Sequence, residues 1–591
     1  MKRVVIGLLM ISVVLIGCSK DRIDTTDDPV DTSYKDNDDP EELIGDNDEL
    51  STVNFDRTIS INWNGDSASV SGDENGIVSI SGGHVTVSNT DSLEVIRYQL
   101  SGSSSDGSFK LYSSRKQALV LQNLELSSKS GAAINNQSKK RTFVVLEGSS
   151  SLADGQVNSS GDYKDAMSSE DCKAAFFSEG QLVFSGSGSL SVTATGKAGI
   201  TSDDYLRFMG SQSVSVSSTA GHALRGKDAI RIDGGNISAS SSAAGKKGLS
   251  SDGTVTINGG TIDVKVSGGT ISEQVTANGQ TTTEYTGACG VKADSTFCIT
   301  GGVLTIVSTG QGGKGISGDK DAQFKGGSVS VTVSGSNLSA GTKADAEAAA
   351  WGPGGHGGPG GGGGGMPGGE SSNLKSAKGI KFDGDITISG GTISVSATSH
   401  EAIESKGKLN VTGGTLYAYS SGDDAINSAG DMTLSGGLVC GWSTANDGID
   451  ANGNLYVKGA AVYAVCLAGG AEVAVDANTE GGKKLFLESG TLVAIGGIES
   501  GSSISGSAYS CTAWTKNGWN AIYDGSGTLV FAFKAPGSGS NMVVYSSGKT
   551  PTLKYGVTVE GSTTWGGNGS TGTVSGGSSA SLSTYSSSGR R

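Results

Sequence analysis

Three acidic segments recur at equal intervals in the second half of the chain. They read His-Glu-Ala-Ile-Glu at 400–404, Asp-Asp-Ala-Ile-Asn at 423–427 and Asn-Asp-Gly-Ile-Asp at 446–450. If equivalent positions stack on neighbouring strands, their carboxylates lie about 4.8 Å apart. Carboxylates at that separation repel by ~3 kcal/mol per pair at an effective dielectric constant of about 20. Such columns therefore need a cation, a basic partner or extensive hydration.

Calcium is the cation that these side chains favour. It binds roughly six to eight oxygen atoms and tolerates irregular geometry from carboxylate and amide oxygens. No Cys/His cluster in the sequence supports a transition metal instead. The alternative is a hydrated acidic corner without an ion. The predicted calcium ligands are Glu401, Glu404, Asp423, Asp424, Asn427, Asp447, Asp450 and Asp476.

The same columns become basic toward the N-terminus. Their ammonium and guanidinium groups suit the carboxylates of an acidic polysaccharide lying along the stack, with calcium bridging others. Alternatively, each base only neutralises a nearby Asp228, Asp252, Asp319 or Asp383. The predicted basic glycan contacts are Arg225, Lys247, Lys292, Lys314, Lys378 and Lys381.

Aromatic residues occupy outward positions of the same repeats. Tyr419 and Trp442 are one repeat apart, and Tyr417 and Tyr463 are two repeats apart. An exposed aromatic ring suits a sugar, because it covers the apolar face of the sugar while the hydroxyl groups stay hydrated. We predict that these four residues contact a glycan. Packing beneath a cap or an insertion is the alternative.

Short strands must position all of these side chains. Gly-Gly-Thr-Ile occurs at 259–262 and again at 390–393, within a series of Gly-Gly phrases that are often evenly spaced. Apolar Ile393 and Val395 alternate with hydroxyl residues, which is the period of a strand. A repeat of this length holds three short strands and three turns. The sequence predicts an all-β fold, a right-handed parallel β-helix with about 23–25 residues per coil.

Composition agrees with a glycine-rich repeat protein. The chain has 591 residues, of which 97 are glycine, and only 17% are charged, which argues against general disorder. The net charge of −15 excludes nucleic acid as a partner, since phosphate binding needs a basic surface.

The N-terminus resembles an export signal. Lys2 and Arg3 precede an apolar run that ends in Leu-Ile-Gly-Cys at 15–18, which resembles a bacterial lipobox. We predict a signal peptide at 1–17, lipidation of Cys18 and an acidic, disordered tether at 18–50. An ordinary signal peptide is the alternative. The lipid would be the protein's only membrane contact and would hold it at the bacterial outer membrane, on the cell surface.

The predicted organisation is one repeat body with additions, acting as a monomer. The Ser/Gly-rich tail is expected to be disordered. The boundaries are 51–504 for the β-helix, with insertions at 272–286 and 335–371, then 505–565 for a β-rich C-terminal cap and 566–591 for the tail.

These motifs resemble those of a bacterial family. The Gly-Ala-Ala-Ile stretch at 131–134, the acidic coil at 423–427, the Gly-Gly-Thr-Ile phrases and the Gly/Pro/Met-rich insertion are similar to carbohydrate-binding domain-containing proteins with a polysaccharide-lyase-like β-helix, first described in a cellulose-degrading clostridium. The resemblance implies a right-handed parallel β-helix, bound calcium and affinity for plant polysaccharides, including acidic ones. It does not imply catalysis.

Three functions remain open from the sequence. The first is a surface lipoprotein that binds polysaccharide through a calcium-loaded flank. The second is a calcium-dependent polysaccharide lyase acting on uronate polymers, with Lys378 or Lys381 as the base. The third is an adhesin or structural surface protein, although a rigid spacer needs no segregation of charge.

Overall fold

The computed structural model describes residues 48–277, 280–339 and 373–586. The predicted signal peptide, Cys18, the tether up to residue 47 and most of the insertion at 335–371 lie outside the described residues. Within these ranges, two short 3₁₀ helices, Leu50–Thr52 and Trp565–Gly567, accompany an otherwise all-β fold. Within the described ranges, no helix has the length and apolar character needed to cross a membrane.

A sheet of 14 strands carries the candidate site residues. After an antiparallel first pair, its strands are parallel, and each pairs with the equivalent strand of the next repeat. Its strands are Val78–Ser81, Gly83–Asn89, Gly107–Ser113, Ile134–Asn136, Ala174–Ser178, Ala198–Ser202, Leu224–Gly226, Lys247–Ser251, Cys289–Ala293, Lys314–Gly318, Lys378–Phe382, Ile403–Ser405, Ile426–Ser428 and Ile449–Ala451.

A second sheet has 28 strands and is also largely parallel. Its strands are Arg57–Asn64, Ser67–Ser71, Ile96–Ser104, Gln117–Ser127, Thr142–Glu147, Ser149–Ala153, Leu182–Gly186, Ser189–Ala194, Tyr205–Phe208, Ser213–Ser218, Ala229–Ile232, Asn236–Ser241, Thr254–Ile257, Thr261–Val266, Phe297–Ile299, Val303–Ser308, Ala322–Phe324, Ser328–Val333, Ile386–Ile388, Thr392–Ala397, Leu409–Ser420, Met432–Ser443, Leu455–Cys466, Leu485–Ile495, Ser503–Ile504, Ala508–Cys511, Met542–Ser546 and Leu582–Thr584.

Each typical repeat contributes three short strands, as the sequence predicts. Lys378–Phe382 belongs to the 14-stranded sheet, whereas Ile386–Ile388 and Thr392–Ala397 belong to the 28-stranded sheet. The Gly-Gly phrase forms the bend between the last two. Gly391, which lies in this bend, has a φ of +81°, and a Cβ there would lie 2.8 Å from the carbonyl oxygen of Gly327. Only glycine fits this bend, since it needs positive φ and a close approach of the backbone.

The core consists of apolar side chains stacked repeat upon repeat. Ile403, Ile426 and Ile449 are in register on neighbouring strands, and Val475 continues the column through a parallel bridge. All four are at most 1% exposed. This column confirms that residues one repeat apart lie side by side.

The two ends of the described chain differ from prediction. Asp48 is buried against Arg141 and Arg207, at 3.0 Å and 2.8 Å, so the last residues of the predicted disordered tether are fixed to the repeat body. The predicted disorder of the tail is also wrong for most of its length. Thr573–Ser579 and Leu582–Thr584 form antiparallel strands with the C-terminal region. Backbone pairing with Thr552–Glu560 and Ala508–Cys511 outweighs the tail's polar composition.

The C-terminal region adds a five-stranded antiparallel sheet. Met542–Ser546, in the 28-stranded sheet, pairs antiparallel with Leu485–Ile495 and so covers part of an otherwise open edge. Two smaller antiparallel pairs also occur, of which Ile271–Ala277 with Gln280–Thr286 corresponds to the predicted insertion at 272–286. The five-stranded sheet comprises Gly569–Ser570, Leu529–Lys534, Trp519–Tyr523, Thr552–Glu560 and Thr573–Ser579, and the second small pair is Leu338–Ser339 with Asn373–Lys375.

Candidate functional site

The predicted second column exists as one line of paired residues in the 14-stranded sheet. Glu404 pairs with Asn427, and Asn427 pairs with Asp450, each one repeat further along. In the other direction, Glu404 pairs with Lys381, and the line continues through Ser317, Lys292, Ser250 and Arg225. The predicted stacking of this column is confirmed.

The predicted first column is also contiguous. The backbone N–H of Asp447 donates to Oδ1 of Asp424 at 3.0 Å. The N–H of Ala402, next to Glu401, donates to the carbonyl oxygen of Asp424 at 3.3 Å. These bonds confirm that Glu401, Asp424 and Asp447 lie side by side on successive repeats.

Basic side chains neutralise the first part of the acidic columns. Nζ of Lys378 lies 3.2 Å from Glu401 and 2.6 Å from Glu404, and all three side chains are nearly inaccessible. Lys406 forms a second ion pair with Glu404. Burial raises the pKa of Glu404, but these lysines outweigh it and hold that pKa below its usual value. This carboxylate is therefore charged and compensated without a metal ion.

His400 links the first two acidic repeats. Its Nδ1 contacts Glu401 and lies 2.9 Å from Oδ2 of Asp423. Burial lowers the pKa of His400, but the hydrogen bonds to Asp423 and Glu401 outweigh it and raise that pKa to about 9. Protonated His400 therefore completes a compensated zone, in which three of the eight predicted calcium ligands have basic partners.

Further along the columns, Asp447, Asp450 and Asp476 form an acidic cluster. One carboxylate oxygen from each lies within 4.8 Å of the others. Burial raises the pKa of Asp447 to about 8 and that of Asp450 to about 6. Burial and a hydrogen bond to Glu499 raise the pKa of Asp476 to about 10. Within the described residues, no Lys, Arg or His forms an ion pair with the cluster.

Two predicted ligands border this cluster. Nδ2 of Asn427 donates to Asp424 at 2.9 Å and to Asp450 at 3.2 Å, so this amide joins neighbouring repeats. Burial, followed by repulsion from Asp450, raises the pKa of Asp424 well above its usual value. The oxygen-only donor set, its burial and the lack of a basic partner in the described part of the chain fit a hard divalent cation such as calcium.

Sequence analysis missed Glu499, which extends the second column. Val475 and Ile498 form a parallel bridge, and Glu499 follows Asp476 by one repeat length. Its carboxylate accepts hydrogen bonds from Thr479 at 3.2 Å and Ser500 at 2.8 Å. The regular spacing was a usable signal, but the longer step from Asp450 to Asp476 interrupts the period just before it.

Most of the predicted basic glycan contacts are already paired. Arg225 lies 2.8 Å from Asp252, and Lys381 forms an ion pair with Asp383. Lys292 lies 2.9 Å from Asp294 and also contacts Asp319. With Lys378 in the compensated zone, four of the six basic residues are neutralised by nearby carboxylates, which is the alternative that the sequence left open.

Lys247 and Lys314 remain without a carboxylate partner among the described residues, and Lys375 joins them. Nζ of Lys314 donates to the carbonyl oxygen of Ser376 at 3.3 Å, and Nζ of Lys247 donates to that of Gly245 at 2.5 Å. Burial, followed by repulsion from Lys375, lowers the pKa of Lys314 to about 7. Burial also lowers the pKa of Lys247 to about 8 and that of Lys375. We call these three residues the lysine cluster.

Comparison of the sequence with models of known protein families identifies the family of this chain. A family model described as "Carbohydrate-binding domain-containing protein" matches residues 81–425 and 378–510, which include both the lysine cluster and the acidic columns. The chain belongs to this family. A similar solved structure is the polysaccharide lyase-like protein from C. thermocellum, determined as a gadolinium derivative. The two chains are 19% identical, with a TM-score of 0.34. The alignment covers 44% of this chain and 94% of the other. No curated protein matches the chain.

The aromatic residues predicted to face sugars in this carbohydrate-binding domain-containing protein are mostly covered. Tyr463 is fully buried, its ring centroid lies 4.8 Å from that of Phe533, and its hydroxyl donates to the carbonyl oxygen of Lys534 at 2.9 Å. Trp442 packs edge-on against Tyr463 at 6.1 Å. The exposure predicted for Tyr463 is wrong, because the C-terminal sheet covers this part of the repeats.

The remaining two predicted aromatics are half-buried. Tyr417 packs against the apolar cluster that contains Tyr463 and Phe533, and its ring lies near Gly566. Tyr419 lies in register with Trp442, as its spacing predicts. A stacked pair that sequence analysis missed, Tyr456 and Phe486, lies on the 28-stranded sheet with ring centroids 4.9 Å apart. The sequence separation of these two residues departs from the repeat period, so the period gave no sign of the pair.

Proposed function

We propose that this protein binds an acidic polysaccharide along the 14-stranded sheet. The lysine cluster carries the proposal: Lys247, Lys314 and Lys375 are half-buried close together without a carboxylate partner among the described residues. Leaving cations desolvated and unpaired costs free energy unless an anion binds. Membership of a carbohydrate-binding family favours a polysaccharide as the source of that anion.

The spacing of the cluster supports a repeating anion rather than a single one. Lys247 and Lys314 flank Cys289 in the same column, so their strands are two steps apart. Two steps in a sheet correspond to about 10 Å. A uronate polymer lying along the column presents carboxylates repeatedly and can reach both lysines. A free monosaccharide cannot bridge them.

We propose in addition that the acidic cluster binds a calcium ion that helps to hold the polysaccharide. Asp447, Asp450 and Asp476 would hold the ion, with Asp424, Asn427 and Glu499 beside them. When bound, the ion would neutralise these carboxylates and attract carboxylates of the polymer. The compensated zone of Lys378, His400 and Lys406 separates this cluster from the lysine cluster, so two attractive regions lie on one line.

Polygalacturonate binding tests the proposal. The purified protein is titrated with polygalacturonate in calcium-containing buffer, and affinity is measured by calorimetry and by pull-down. We expect Lys247→Gln/Lys314→Gln to weaken binding at least about tenfold, since each lost charge-assisted hydrogen bond is worth about 1.5–3 kcal/mol.

Lys265→Gln/Lys325→Gln is the matched control, because it removes the same charge from exposed positions outside the 14-stranded sheet. The control should bind almost as well as the unmodified protein. Equal binding by all three proteins would reject the lysine cluster as the contact. No retention of any acidic glycan would favour the adhesin or structural role.

A uronate lyase is the second candidate, and one observation favours it. A catalytic base works best when its pKa lies near the working pH, and the pKa of Lys314 is lowered to about 7. Lys378 and Lys381, the bases predicted from sequence, are instead held in ion pairs. Unsaturated product detected by its ultraviolet absorbance, formed by the unmodified protein and lost in Lys314→Gln, would establish this activity.

The remaining features of the proposal concern the whole protein. We propose that the stacked parallel ladders wind as a right-handed parallel β-helix, because each repeat supplies its strands in the same order. We also propose a monomer that is lipid-anchored through Cys18 at the bacterial outer membrane, facing outward. Palmitate labelling, lost in Cys18→Ala, tests the anchor.

A further inference from the structure

A cleft lies between the last repeats and the C-terminal region, and none of its lining residues belongs to the lysine cluster. It has a volume of about 700 Å³, within the range of pockets that hold small ligands. One wall consists of Gly496, Gly497, Ile498, Glu499 and Ser500, and the other is built from residues 510–512, 514, 516 and 539–543. None of the residues predicted from the sequence to bind glycan lies in it.

One wall of the cleft offers a platform for a sugar ring. Trp514 is half-buried, since it packs on the apolar cluster beneath the C-terminal sheet while also lining the cleft. Nζ of the exposed Lys516 lies over the Trp514 ring, 5.8 Å from its centroid, so a stacked sugar would take the place of this side chain. An indole with one side on the core and another on a cleft suits the apolar face of a pyranose.

The polar lining of the cleft suits hydroxyl groups. Ser500, Ser510, Thr512 and Asn541 supply hydroxyl and amide groups around the platform. Glu499 adds a carboxylate that hydrogen bonds from Thr479 and Ser500 fix in place. Fixed carboxylate and amide groups can each bind neighbouring hydroxyls of a sugar.

The charge of the cleft separates it from the lysine cluster. Glu480 and Glu499 line it, against the single basic residue Lys516 among the described lining residues. A uronate would meet repulsion here from two carboxylates, whereas a neutral sugar would not. The cleft and the lysine cluster are therefore suited to different glycans.

Several residues that line the cleft have a backbone conformation with positive φ. Gly497, Gly539 and Asn541 all have positive φ, of 93°, 112° and 54°. A side chain on Gly497 would meet no atom within 4 Å, so close packing does not explain glycine there. Positive φ is uncommon for a residue other than glycine, as at Asn541, and such conformations cluster at ligand sites.

We propose that this cleft binds a short neutral oligosaccharide, with Trp514 stacking on one pyranose ring and Glu499 and Asn541 binding its hydroxyl groups. The proposal does not depend on the acidic polymer, but Glu499 also hydrogen-bonds to Asp476 of the proposed calcium site, so the cleft adjoins that site. It gives one protein two glycan sites, one for a polyanion along the repeats and one for an uncharged sugar at their C-terminal end.

Calorimetric titration with neutral tetrasaccharides tests the proposal. The full-length protein is titrated with cellotetraose, mannotetraose, xylotetraose and galactotetraose, and with tetragalacturonate. We expect at least one neutral tetrasaccharide to bind, with affinity reduced about tenfold or more in Trp514→Ala. Thr512→Tyr should reduce it similarly by filling the cleft from an exposed position that has no packing role, which keeps the test valid if Trp514→Ala unfolds.

The lysine cluster supplies the control that separates the two sites. Lys247→Gln/Lys314→Gln should bind the neutral tetrasaccharide normally while losing polygalacturonate. The proposal is overturned if no neutral tetrasaccharide binds, if binding survives both cleft variants, or if tetragalacturonate competes for the same place.

Discussion

The basic and acidic ends of the same two columns solve the problem of stacked charge in the same way. At each end some of the charges are paired, and at least one buried or half-buried group is left without an oppositely charged partner in the described part of the chain. In the second column, Lys292 and Lys381 each pair with an aspartate two residues later, Asp294 and Asp383. In the first column, Lys247 and Lys314 have no such aspartate.

The difference between the two columns shows that strand register alone does not determine which charged side chains are neutralised. Register decides which residues are neighbours, but the turn that follows each strand decides whether a charge is neutralised. At both ends the buried group has a pKa shifted toward the neutral form: that of Lys314 downward to about 7 and that of Asp447 upward to about 8. The basic end is therefore suited to bind an anion, and the acidic end is suited to bind a cation.

Breaking the compensated zone between the two ends should have the largest effect. Lys378→Met leaves the buried carboxylates of Glu401 and Glu404 without their shared partner. We expect a loss of about 3–5 kcal/mol in the free energy of unfolding, the usual result of removing one partner from a buried ion pair. Differential scanning calorimetry measures it. Lys408→Met, at an exposed site, is the control, and an equal effect of both variants would contradict the compensated zone.

Calcium should act at the acidic end with the next largest effect. At a calcium concentration of one hundred times Kd, we expect the protein to gain about 2.7 kcal/mol in unfolding free energy. Asp447→Asn/Asp476→Asn should abolish this gain and make the calcium-free protein more stable, because it removes the cost of burying two carboxyl groups. Thermal melts with calcium and with EGTA measure both effects.

Glu125→Gln/Asp263→Asn is the control for calcium, since it removes the same charge from the 28-stranded sheet. It should keep the full stabilisation by calcium. A calcium-dependent gain that persists in Asp447→Asn/Asp476→Asn would place the ion elsewhere.

The basic end should respond to pH with the smallest effect. The pKa of Lys314 falls from 10.5 to about 7 on folding, so between about pH 7 and pH 10.5 the unfolded chain binds more protons than the folded one. This residue's contribution to stability therefore rises with pH across that window. Because the side chain is half-buried and partly hydrated, we expect only about 1 kcal/mol.

Lys314→Met isolates that contribution. Comparing its unfolding free energy with that of the unmodified protein at about pH 6.5 and about pH 9.5 should show the variant's advantage shrinking as pH rises. A constant difference would mean that Lys314 keeps its ordinary pKa in the folded protein.

The stacked columns could be predicted from sequence because the period is fixed by covalent spacing. Each Gly-Gly bend sets the length of a repeat, so Glu404, Asn427 and Asp450 had to be neighbours once the strands were parallel. The all-β fold with many parallel strands followed from the same alternation of apolar and hydroxyl residues.

Side-chain reach and covering segments could not be predicted in the same way. The pairing of Arg225 with Asp252 depends on rotamers, not on register. Tyr463 is buried because a C-terminal sheet without the repeat period packs over it. Lys375 follows shortly after the predicted insertion, where no period places it beside Lys314, and the cleft at Trp514 arises only where two dissimilar regions meet.

The buried ion pairs of Asp48 attach the N-terminal segment to the repeats and can resist a pulling force. Arg141 and Arg207 hold its two carboxylate oxygens, and the hydroxyl of Tyr205 donates to one of them at 2.5 Å. Tension applied to the chain ahead of Asp48 would load this buried clamp before it reached the first strand, Arg57–Asn64. The clamp joins residues far apart in sequence, so a pull from that side would be spread over several repeats instead of peeling the terminal strand away.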